Sequence, residues 1–67
     1  MRVSYEKLFL YFFKNNISML SASKKSGVSR NTLLKMKNNE PVHLNAVIAI
    51  CNAYNLELTD VIELIKE

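Results

Sequence analysis

Ser18-Met19-Leu20-Ser21-Ala22-Ser23-Lys24-Lys25-Ser26-Gly27-Val28-Ser29-Arg30-Asn31-Thr32-Leu33-Leu34-Lys35-Met36-Lys37 is the stretch that decides the fold. Ser18 carries an N-cap hydroxyl, able to accept one of the backbone N–H groups that a first helical turn leaves unpaired. A short helix is therefore expected over Met19 to Lys25. Ser26-Gly27 closes it, because glycine takes positive φ without a steric penalty. Val28 follows as the buried plug of a tight turn. Ser29 caps the next helix, Arg30 to Lys37, whose apolar residues Leu33 and Met36 share one side.

Upstream, Ser4 is placed to cap a helix over Tyr5 to Lys14, with Glu6 in the first turn where the helix dipole favours an acid. Leu8, Phe9, Phe12 and Phe13 make its apolar stripe, widened by Leu10 and Tyr11. Asn15-Asn16 ends it, and Ile17 leads into Ser18. Downstream, Asn38-Asn39-Glu40-Pro41 reads as a loop, since proline disfavours helix at and before its own position. Leu44, Val47, Ile48, Cys51 and Tyr54 repeat at helical spacing and predict a helix over Leu44 to Tyr54 with that stripe facing the core. Leu56 and Leu58 cross a short link, Thr59 and Asp60 open a last helix, and Val61, Ile62 and Ile65 form its inward set. The expectation is one all-α domain of five short helices spanning residues 1–67, with no repeat, linker or low-complexity segment.

Composition supports that expectation. Of 67 residues, 49% are apolar, and a single glycine and a single proline argue against β-hairpins and against disorder. One cysteine excludes an intramolecular disulfide and makes a reducing cytoplasm the expected compartment. Cys51 and His43 are too few for a structural zinc site, so no metal or cofactor is expected. The apolar run Leu8 to Phe13 is too short for a secretory leader, and nothing approaches the ~18 residues of a membrane span.

Charge is unevenly distributed. Lys7, Lys14, Lys24, Lys25, Arg30, Lys35 and Lys37 carry +7 with no acid among them as far as Asn39, whereas Glu40, Glu57, Asp60, Glu63 and Glu67 against Lys66 give −4. A one-sided positive field fits a polyanion partner, although solvated lysines alone would show the same count.

The stretch from Met19 to Met36 resembles the helix-turn-helix of the phage repressor and Cro family, also called the XRE family. Met19 falls at the motif's first position, Ala22 and Ser23 at its fourth and fifth, and Gly27 at its ninth. Two helices crossing steeply through so short a turn need a small fifth residue and positive φ at the ninth, and Ser23 and Gly27 qualify. Val28, Leu33 and Met36 take the remaining buried positions, and Ser26 stands where a small or apolar residue is usual. The flanking helices and the ending Leu56-Glu57-Leu58-Thr59-Asp60 are similar to the family's usual frame. The implied fold is a five-helix, lambda-repressor-like DNA-binding domain.

The resemblance implies that the third helix enters a major groove of double-stranded DNA. With Leu33 and Met36 inward, Arg30, Asn31, Leu34 and Lys35 face out as the base-reading set. Arg30 suits guanine O6 and N7, Asn31 adenine, Lys35 guanine or phosphate, and Leu34 a thymine methyl. Phosphate contacts are expected from Ser18, Met19, Ser29, Thr32, Lys37, Asn38 and Asn39. Two positions depart from the family. Met19 stands where glutamine is common, so contact there falls to backbone N–H groups of the second helix with the Ser18 hydroxyl, and Asn39 stands where many members have glycine. Lys24 and Lys25 come late in the second helix, where DNA contact and simple solvation are both open.

His43 reads as a polar loop residue and Cys51 as a small core residue. No nucleophile stands beside a base, so catalysis is not expected. The leading expectation is a cytoplasmic transcriptional regulator of the repressor or Cro kind, working as a homodimer without a small-molecule effector. Leu10, Ile50 and Leu64, which lie off the main stripes, are the candidate self-association surface. The alternative is a protein-binding modulator or an antitoxin-like partner on the same fold.

Overall fold

The computed structural model describes residues 2–66; Glu67, counted above among the acids, lies outside them. The five helices are α1 (Glu6–Lys14), α2 (Met19–Ser26), α3 (Arg30–Lys37), α4 (Leu44–Tyr54) and α5 (Leu58–Val61). The two serine caps form as their positions require. Ser18 Oγ accepts from the Ser21 N–H at 3.0 Å, and Ser29 Oγ from the Thr32 N–H at 3.2 Å. Helix ends are built on asparagine. Asn16, Asn39 and Asn55 sit at φ 55°, 58° and 54°, in the left-handed region that asparagine tolerates better than other side chains. At the end of α1 the N–H groups of Ile17 and Asn16 return to the carbonyls of Phe12 and Phe13, and at the end of α3 those of Glu40 and Asn39 return to Lys35 and Met36. Both are Schellman closures, which satisfy the carbonyls a terminating helix would leave unpaired.

Two expectations at the chain ends are corrected. Ser4 is not the cap of α1. Tyr5 holds that position, and Ser4 ends a short strand, β1 (Arg2–Ser4), with its hydroxyl accepting from the Glu6 N–H at 3.3 Å. The last helix is a single turn, held by a capping box between Glu57 and Asp60, and Ile62 leaves it in extended geometry. Residues Glu63–Ile65 form β2, which pairs antiparallel with β1 in the register Arg2 with Ile65, Val3 with Leu64 and Ser4 with Glu63. A scarcity of turn residues argues against hairpins, but a ladder between distant segments needs no tight turn. The helical frame stands with this two-stranded addition.

The core gathers Tyr5, Leu8 and Phe12 from the first segment, Ala22, Val28, Leu33 and Met36 from the α2–α3 unit, and Val47, Ile50 and Val61 from the end. The stripe of α4 is turned from its expected setting: Val47 and Ile50 are buried, Cys51 and Tyr54 half-buried, Leu44 and Ile48 exposed. Ile50 is therefore a core residue and is withdrawn from the self-association surface. Phe13, expected in the stripe of α1, is 81% exposed. Aromatic contacts anchor the C-terminal end of α4. The Tyr54 ring packs 5.5 Å from Phe12 and 6.0 Å from Tyr11, and Lys25 Nζ lies 4.7 Å above its centroid.

Burial pushes up the pKa of the Tyr5 phenol against a main-chain hydrogen bond from Val42; it also raises the Tyr54 phenol, helped by Tyr11, and the Cys51 thiol, helped by Asp60. Each is an acid that the folded chain keeps protonated after the unfolded chain has released its proton. Stability is thus fully present at neutral pH and is lost as pH climbs from about 9 through the higher folded values. Melting temperatures should fall progressively between about pH 8.5 and 11, and a flat profile would contradict the burial of these groups. No helix among the described residues is long and apolar enough to cross a membrane.

Candidate nucleic-acid interface

The turn between α2 and α3 is stapled by its own serines. Ser23 Oγ donates to the Val28 carbonyl at 2.6 Å, and Ser26 Oγ donates to the Ala22 carbonyl at 2.6 Å while accepting from the Val28 N–H at 3.2 Å. Gly27 sits at φ 81°, with its N–H on the Ser23 carbonyl. A Cβ there would meet nothing within 4 Å, so the need for glycine lies in the backbone and not in space. Gly27→Ala should cost about 1–2 kcal/mol in urea denaturation, and Gly27→Asn clearly less. An alanine variant as stable as the parent would show that the left-handed turn is dispensable.

This turn fixes which way α3 faces. Leu33 and Met36 are fully buried beneath it, while Arg30, Asn31, Leu34, Lys35, Lys37, Asn38 and Asn39 are exposed and Thr32 is half-buried. Leu34 leaves 46% of its surface in solvent among cationic and amide side chains. The four expected base readers thus share the outer side of one helix. Lys35 and Thr32 also border a groove of about 360 Å³ with Pro41, Val42, His43 and Ala46. His43, read from the sequence as a loop residue, is the N-cap of α4 and borders the same groove as Thr32 and Lys35 of α3. No spacing in the sequence signals that approach, because the loop sets it.

The remaining groups are arranged around α3. The Met19 side chain packs against the core, which leaves its main chain as the part that can meet a ligand at the start of α2. The Ser21 N–H goes to Ser18 Oγ and the Ala22 N–H to the Ser18 carbonyl. The first two N–H groups of α2, on Met19 and Leu20, have no acceptor within the helix. Ser29 Oγ and Thr32 Oγ1 lie 2.9 Å apart; their mutual bond uses one hydroxyl hydrogen and leaves the other to donate outward. Asn39 Oδ1 accepts from the Tyr5 N–H at 3.0 Å, so only its amide NH₂ remains to donate. Lys25 is engaged with the Tyr54 ring, whereas Lys24 is exposed. Among the described residues no group of three His, Cys, Asp or Glu side chains could hold a metal ion.

Residues 12–67 match the sequence pattern of the Cro/C1-type HTH DNA-binding domain. The chain belongs to that family. A crystal structure of the transcriptional regulator VanUg is similar to this Cro/C1-type domain at a TM-score of 0.87 and 35% identity, over 98% of this chain and 88% of that one. No curated protein matches the sequence. The Cro/C1-type domain is therefore a DNA-binding domain of the transcription-regulator kind, with the lambda-repressor-like helical frame expected from its motif.

Proposed function

We propose that residues 1–67 act as one sequence-specific, repressor- or Cro-like regulator in the cytoplasm, reading the major groove of double-stranded DNA with α3. The observation that carries this reading is the division of α3 into a buried side, Leu33 and Met36, and an exposed side bearing Arg30, Asn31, Leu34 and Lys35. On this reading those four meet base edges. Lys37, Asn38 and the Asn39 amide, the main chain of Met19 with Ser18, and the hydroxyl pair Ser29–Thr32 meet phosphates on either side.

One short helix makes few base contacts, so two copies on a two-fold site are proposed, with half-sites about 34 Å apart. Leu10 and Leu64, 52% and 63% exposed, supply apolar surface for pairing. Lys7 Nζ lies 4.0 Å from Glu63, which sets α1 beside β2. Light scattering that finds a monomer both free and on a two-fold duplex would remove the dimer.

Salt dependence tests the reading. With about three phosphate contacts per copy, duplex affinity should fall roughly a thousandfold between about 50 and 200 mM salt. The rival reading, docking on a protein through an apolar face, predicts almost no such response. Failure of both random and selected duplexes to bind at low salt would overturn the proposal.

A further inference from the structure

The groove between α3 and the start of α4 holds two basic groups and no acid. Thr32 and Lys35 form its α3 wall, His43 and Ala46 its α4 wall, and Pro41 and Val42 close it along the loop. Lys35 and His43 are both exposed. Among the described residues, neither the Lys35 ammonium nor the His43 imidazole has a hydrogen-bond or ion-pair partner. His43 holds the N-cap position of α4, yet its side chain makes no cap bond. The charged groups on every side can be named. Lys35 is the one that α3 turns into the groove, and α4 carries neither a carboxylate nor a cation along Leu44 to Tyr54. Glu40, the one acid of the loop, precedes Pro41 and lies outside the lining. The positive end of the α4 backbone dipole has the same sign as Lys35, so the groove as a whole favours an anion.

We infer that His43 is a further DNA contact, outside the helix-turn-helix: its imidazole takes a backbone phosphate at the mouth of this groove and holds it more tightly once protonated, so duplex affinity rises as pH falls. The inference rests on the DNA-reading role proposed above and adds its regulation by pH. A helix lying in a major groove has a strand of phosphates on either side, and the element beside it is the one that meets them. Thr32 and Lys35 place the start of α4 beside the side of α3 proposed to face the duplex. A neutral imidazole offers a phosphate one N–H, whereas the protonated ring offers two and a full positive charge. Histidine is the side chain whose charge changes between pH 5 and 8, and this chain has a single one. The phosphate favours the charged form, so the complex keeps a proton that the free chain has released, and binding strengthens towards acid.

Binding of the 67-residue chain to a random-sequence duplex, and to a duplex it has itself selected, is measured from about pH 8 to 5.5 across a salt series. Both affinities of the parent should rise as the pH falls, by up to about the eightfold that one phosphate contact is worth at 0.1 M salt, and the salt slope should steepen by up to about 0.9. His43→Gln should remove that rise. His43→Lys, charged throughout, should bind at pH 8 about as tightly as the parent does at pH 5.5 and respond no further. Because the His43 side chain is exposed and caps nothing, both variants should melt within a few degrees of the parent at each pH, which keeps binding apart from folding. Replacing single phosphates of the selected duplex by neutral methylphosphonates should abolish the pH response at one position for each bound copy. A rise that persists in His43→Gln, a His43→Lys variant that gains nothing at pH 8, or a pH response that no single phosphate carries overturns the inference while the parent still binds DNA. A parent that binds neither duplex at any pH would remove the DNA reading itself and this inference with it.

Discussion

Leu33→Ala is expected to leave the protein substantially unfolded near 37 °C. Leu33 is fully buried at the base of α3, among the other residues of the single core. Truncating a leucine in such a place typically costs 2–5 kcal/mol, because contacts are lost and the cavity only partly collapses. A chain of this length holds about 3–10 kcal/mol in total, and for so small a domain each kcal/mol moves the melting point by about 4–8 °C. A fall of roughly 10–30 °C should follow in a circular-dichroism melt. The adjacent Leu34, 46% exposed, gives the control. Leu34→Ala should melt within a few degrees of the parent and lose affinity for DNA, so the two neighbours separate stability from recognition. Similar melts for both would mean that α3 does not face as described.

The second large effect concerns specificity. Arg30→Ala and Asn31→Ala should each relax preference at one base position of sites selected from a random pool. A good bidentate pair discriminates by about 1–3 kcal/mol, or roughly 5- to 150-fold. Neither side chain is buried, so the folded state should be little affected. Lys37→Ala should instead weaken all sequences alike, since a phosphate contact carries no base information. Equal loss on all duplexes with Arg30→Ala and Asn31→Ala would contradict base reading by these two residues.

The helix-turn-helix was legible because its signals are local. A serine before each helix and the one glycine at the bend state where the chain starts, stops and turns, and the structure follows them. The outward side of α3 was legible for the same reason, as the complement of Leu33 and Met36. The terminal ladder was not. Three-residue strands are too short for an alternating pattern, and Val61, Ile62 and Ile65 equally suit one more helical turn. The facing of α4 was misread because Leu44 to Cys51 is apolar nearly all the way round, so the spacing that picks out one stripe also fits a second setting. The observed setting puts Ile50 inside with Tyr54 on Phe12, a contact between distant segments. The bond from the Tyr5 N–H to Asn39 Oδ1 belongs to the same class of contact and left no local trace.

The pairing of Arg2 with Ile65 has a practical corollary for anyone who handles this molecule. Whatever is fused before the first strand or after the last emerges from a single corner, so an affinity handle at one end and a fluorophore at the other would be neighbours. By the same geometry, a short peptide could splice head to tail into a ring without disturbing the helices, and such a ring would be harder to unravel because its open form has fewer shapes available.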